Sequence, residues 1–145
     1  MSPEPLAAAA ALAAKSGVGL GRLPMPWRDV ALALAAAALP ADFECSEPHA
    51  TAALRRWLAE EGAWLDVDPV ELRRWLVDRG LWQRDGYGRA YQRTAARRLD
   101  PALAAVVAAL DAQPDLKGWL RARRREAQDE REARRQAWQA GGVSA

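Results

Sequence analysis

Cysteine and histidine are nearly absent: Cys45 and His49 are the single examples in 145 residues. One cysteine excludes an intramolecular disulfide and a cysteine-based zinc site, and one histidine excludes a multi-histidine metal centre. Long apolar runs are missing too. Leu6–Ala14 is nine residues long and follows Glu4, so it is too short for a membrane span and lacks a signal peptide's basic flank. The expectation is a cytoplasmic protein with no membrane contact. There is no glycine-rich phosphate loop after a strand, no supported carboxylate pair and no metal-ligand spacing. His49 has only Cys45 nearby, and Cys45 sits ahead of a helix cap. No catalytic residue, metal or cofactor is expected, and the chain does not read as an enzyme.

What the chain does have is alanine, tryptophan and arginine. Half the residues are hydrophobic, but alanine buries little area, so the leucines and seven tryptophans must carry the core. The net charge of +2 is unevenly spread. Residues 1–66 hold 5 basic and 8 acidic groups, while residues 67–99 hold 8 arginines and 4 acids. Residues 115–145 are basic again, with 8 basic against 5 acidic groups. Basic clusters of this kind mark a nucleic-acid footprint, although an alanine- and arginine-rich composition lessens the weight of any single arginine.

The densest signal is Val70–Arg93, VELRRWLVDRGLWQRDGYGRAYQR. Asp68 and Glu71 around Pro69 read as a capping box at a helix start. Gly80 reads as the helix stop, and Asp85-Gly86-Tyr87-Gly88 supplies turn residues for a hairpin. A helix followed by a basic two-stranded hairpin is the second half of a winged helix-turn-helix, which places one helix in a DNA major groove. Winged helices also serve as protein-interaction modules.

The expected fold is mainly α with a small β-hairpin: a winged helix-turn-helix with helical N- and C-terminal extensions. Residues 1–26 read as an alanine-rich helix (Leu6–Lys15) and a Gly/Pro linker, 27–98 as the winged-helix domain, and 99–145 as C-terminal helices with a basic polar tail. Within the domain, Trp27–Leu39 reads as a helix, Phe43–Cys45 as a short strand, and Glu47–Glu61 as a helix capped by Ser46. Pro69–Arg79 is the third helix and Leu81–Arg93 the hairpin. Leu99–Leu110 and Leu116–Ala140 follow, the latter supported by Glu130–Arg134 and Arg125–Asp129 at i, i+4.

The pattern of Leu72, Arg73, Arg74, Leu76, Val77, Asp78, Gly80, Leu81, Arg84, Asp85, Gly88, Tyr91 and Arg93 resembles domain-of-unknown-function family 2087. The resemblance extends upstream to about Leu39 and departs from the family pattern at His49-Ala50-Thr51. It covers less than half of the chain. It implies a small winged-helix-like domain, found alone or attached to bacterial transcriptional regulators, with no established biochemical activity. Its motif residues here are Leu72, Arg73, Leu76, Val77, Asp78, Gly80 and Tyr91.

On a helical wheel Val70, Leu72, Leu76 and Val77 define the core side of the third helix, with Arg73 among them and Arg74, Glu71 and Asp78 opposite. Arg73 is therefore expected to be structural, with its guanidinium paired to a carboxylate. Arg74, Arg79, Arg84, Arg89 and Arg93 are the expected nucleic-acid contacts, with Arg74 able to reach a phosphate or a guanine edge. Trp75 either stacks on a partner or is covered by a neighbouring element such as the C-terminal helix. Trp82 and Tyr91 should pack inward. A two-residue hairpin loop sets Arg84 against Arg89, and a three-residue loop sets Asp85 against Arg89. The tail Arg121–Arg135 reads as a solvated helix, a basic arm or a dimerisation helix, but lacks apolar heptad spacing after Leu120. DNA is the expected partner, with a protein partner or homodimer through the C-terminal helices also open.

Overall fold

The computed structural model describes residues 2–143. The helices among them are α1 (Pro5–Ala13), α2 (Met25–Ala36), α3 (Glu47–Ala59), α4 (Pro69–Asp78), α5 (Pro101–Asp111) and α6 (Leu116–Val143). The strands are β1 (Cys45–Ser46), β2 (Trp82–Arg84) and β3 (Ala90–Arg93), which form an antiparallel sheet in the order β1-β3-β2. The fold is mainly helical with a small hairpin. From α2 onward the order is helix, strand, helix, helix, strand, strand.

Alanine decides the centre. Every residue of α2 from Asp29 to Ala36 is buried, and α1, α4 and α5 all pack on this helix. Small side chains let these backbones approach closely, and Leu12, Leu32, Leu54, Leu72, Leu76 and Leu103 fill the space between them. Trp64 and Trp82 are fully buried, and the Trp82 Nε1–H donates to Ala36 O at 3.0 Å. Trp57 meets Trp64 edge-on, with ring centroids 6.0 Å apart. Leu58 and Val77 lie at the edge of the same core.

Local capping explains the helix starts. The carboxylate of Asp68 accepts from the amides of Val70 and Glu71 at 3.0 and 3.3 Å, and Asp100 accepts from Leu103 N–H at 2.9 Å. Only the Asp68 half of the expected capping box forms among the described residues; Glu71 makes no return bond. Ser46 caps α3 through His49 N–H. Gly80, at φ +84°, ends the α4 segment as expected.

Several details differ from the sequence expectation. The segment 16–26 is tied down, because Val18 and Leu65 form a parallel bridge and Leu20 is buried. Arg28 holds it by donating to Leu20 O and Leu23 O, each at 3.1 Å. The first strand is Cys45–Ser46 and pairs with β3, so the hairpin is part of a three-stranded sheet. Neither expected hairpin register occurs: Arg84 faces Tyr91, and Asp85 N–H donates to Ala90 O at 3.0 Å. The cause is Asp85, whose Oδ1 accepts from the amides of Tyr87 and Arg89 and closes a longer loop. Gly88 supplies the positive φ of 69° that this loop needs; Gly86 does not.

The tail helix also departs from expectation. Among the described residues the ion pairs within it are Arg123–Glu126 at 2.9 Å and Arg135–Glu132 at 3.2 Å, both at i, i+3, and Arg121 pairs with Glu61 at 3.5 Å. Arg124 donates to Ala13 O and Lys15 O at 2.7 and 3.2 Å, and Arg131 donates to Ala14 O. These guanidinium groups cover the last carbonyls of α1, where cations are favoured. No helix of the described residues is long and apolar enough to cross a membrane.

Candidate nucleic-acid interface

Arg73 and Arg74 are neighbours with opposite surroundings. Arg73 donates to Thr51 Oγ1 at 2.6 Å, pairs with Glu47 at 3.2 Å and lies 5.3 Å from the Tyr91 ring centroid. Arg74 is exposed and makes no hydrogen bond or ion pair among the described residues. It sits between exposed Glu71 and Asp78 on the outer face of α4.

Arg79 is not free to meet a phosphate. Its Nε and Nη2 hold the two oxygens of Asp29 at 2.8 and 3.0 Å, and its Nη1 holds Asp100 at 2.6 Å. The hydrogen bonds to Asp29, foremost, and to Asp100 raise its pKa further, against desolvation. The carboxyl of Asp100 lies below its usual range, through Leu103 N–H first and Arg79 second. Arg79 thus clamps the end of α4 to α2 and α5, and the expectation of a nucleic-acid contact there is corrected. One signal pointed to this arrangement: Asp29 is a lone carboxylate opening an otherwise apolar helix stretch, and a buried acid demands a cation.

Trp75 is half-buried, and the Arg28 guanidinium lies 5.0 Å from its ring centroid. Arg28 belongs to α2, so this helix supplies cover for Trp75, whereas α6 packs mainly on α1.

The hairpin arginines stand differently. Arg84 and Arg89 are exposed and Arg93 is half-buried, and none has a carboxylate partner among the described residues. Arg89 lies 5.7 Å from the ring centroid of Tyr87, which is 84% exposed at the hairpin tip. Arg97 and Arg98 continue the run on a short helical turn after β3; they are exposed and were not among the residues singled out from sequence. Asp85, the one acid among them, has its pKa lowered by the amide of Arg89 first, so its charge serves its own turn. Arg73, Arg74, Val77, Asp78, Arg84 and Tyr91 line a groove of about 330 Å³ between α4 and the hairpin.

The sequence model of the family described as "uncharacterized protein conserved in bacteria (DUF2087)" matches residues 22–93. Residues 22–93 are a DUF2087 domain. The match starts further upstream than Leu39 and takes in all of α2, the helix on which the core is built. No curated protein and no solved structure matches the chain. α1, α5 and α6 lie outside the DUF2087 match, yet α1 and α5 share its core through Leu12, Leu103 and Leu110, and α6 packs against it with Leu116 and Leu120.

Proposed function

We propose that this chain is a small cytoplasmic DNA-binding protein acting in transcriptional regulation, with its hairpin as the leading contact. One observation carries the reading: five arginines between residues 84 and 98 face no carboxylate partner, while Arg73 and Arg79 are spent on internal pairs. The order helix, strand, helix, helix, strand, strand from α2 to β3 supports a winged-helix reading, in which α4 is the recognition helix. Glu71 and Asp78 on the outer face of α4 leave Arg74 as its one exposed cation, able to meet a base edge or a phosphate, so most phosphate contacts fall to the hairpin and the turn after it.

Fluorescence anisotropy on a short duplex at several salt concentrations tests this. Five phosphate contacts imply a log–log salt slope of about −4 to −5. Replacing Arg84 and Arg89 together with alanine should flatten the slope by about 2 and weaken all sequences alike, whereas Arg74→Ala relaxes preference among sequences if it reads a base edge and flattens the slope by about 1 if it holds a phosphate. An absence of binding at low salt would remove the DNA reading.

The alternative, an interaction module without nucleic-acid binding, is favoured by Trp138, which is 78% exposed on α6. Self-association in sedimentation that Trp138→Ala abolishes, together with no DNA binding, would establish it.

A further inference from the structure

We propose that the groove between α4 and the hairpin is a phosphate-binding site built from Arg74, Arg84 and the hydroxyl of Tyr91. The register pairs Arg84 with Tyr91, and directly paired residues point to the same side of a sheet, so both reach the side that meets α4. Arg74 enters the same groove from the helix.

Tyr91 supplies an independent observation. It is 2% exposed, yet its hydroxyl makes no hydrogen bond among the described residues. The ring is buried, but the hydroxyl is open to the groove: the fully buried side-chain oxygen without a partner among the described residues is Thr94 Oγ1, so the phenol presents an available donor to a groove lined with cations. Arg73 lies against its ring and is itself held by Glu47 and Thr51, which fixes the phenol in place.

Charge points the same way. Three guanidinium groups and one carboxylate, Asp78, line the groove, and Asp78 forms no ion pair among the described residues. Arg74 and Arg84 bring like charges to one groove, and an anion between them would be held by two charge-assisted hydrogen bonds. Donors converging from a helix, a strand and a ring suit a tetrahedral phosphate, whose oxygens outnumber those of a carboxylate. Its source is either a nucleic-acid backbone diester, in which case the site deepens and rests on the DNA reading, or a free phosphate. The site chemistry is common to both.

The test is an amide chemical-shift titration of the full chain with inorganic phosphate and, separately, with the dinucleotide diester dTpdT. Shifts at Arg74, Arg84 and Tyr91 should saturate with at least one of the two, and the tighter binder identifies the source. Arg84→Gln should weaken binding about tenfold and Tyr91→Phe about threefold, as for a charged and a neutral hydrogen bond, while Arg55→Ala on α3 changes nothing. Both groove variants keep their packing, and an otherwise unchanged spectrum shows that the fold is intact. Groove amides that do not move with either probe overturn the site, as do variants that bind like wild type. Duplex binding without groove shifts removes the site and leaves the DNA reading standing. Groove shifts without duplex binding retain the site and remove the DNA reading.

Discussion

Arg79→Ala separates a structural arginine from a contacting one. The substitution strips both oxygens of Asp29 of their cation and also frees Asp100. Removing one partner of a buried ion pair costs about 3–5 kcal/mol. The side chains of Asp29 and Arg79 are 13% and 25% exposed, so the pair is not fully dry, and the surface link to Asp100 adds little. The expected loss is therefore about 2–4 kcal/mol, which lowers the melting temperature by about 5–12 °C for a domain of this size. Arg79→Lys should recover only part of this, because a point charge cannot hold both carboxylate oxygens as the guanidinium fork does. Arg74→Ala, with no partner to lose, should melt like wild type. Thermal unfolding followed by circular dichroism measures all three. A double-mutant cycle with Asp29→Ala assigns the loss to the pair. Wild-type melting of Arg79→Ala combined with weakened duplex binding would refute the clamp and restore Arg79 as a contact.

Gly62→Ala should destabilise by about 1–3 kcal/mol in urea unfolding, because a Cβ there would lie 2.3 Å from the Trp57 ring; Gly86→Ala, which meets open space, is the control. Replacing Arg124 and Arg131 together with alanine should speed amide hydrogen exchange along α6 and at the end of α1, since both guanidinium groups leave the carbonyls of Ala13 and Ala14; unchanged exchange would mean that the tail is not held by these bonds. Asp85 and Asp100 have lowered folded-state pKa values, so their stabilisation is complete above the unfolded carboxylate value of about 3.9 and is lost as pH falls through the lower folded values. Melting temperature should therefore drop from pH 5 to pH 3, and Asp100→Asn should make that drop shallower; an identical drop in the variant would exclude Asp100 from the effect.

The amino-acid order alone determined the elements whose causes lie within a few residues. Ser46, Asp68 and Asp100 each cap the helix beginning next to them, and Gly80 ends α4, because caps and stops act over one turn. The different surroundings of Arg73 and Arg74 were legible as well, since a 3.6-residue period puts adjacent side chains about 100° apart. Tertiary structure decided which arginines are free. The partner of Arg79 is Asp29, 50 positions away, and that of Arg124 is Ala13, 111 away. A guanidinium looks the same in sequence whether it meets a phosphate, a carboxylate or a helix end, and only the packing of α2, α4 and α5 brings Asp29 and Asp100 to Arg79. The hairpin register also escaped the sequence, because one carboxylate, Asp85, holds two loop amides and lengthens the loop beyond either simple turn. Periodicity and capping are properties of a short stretch of chain; pairing depends on which stretches the core brings together.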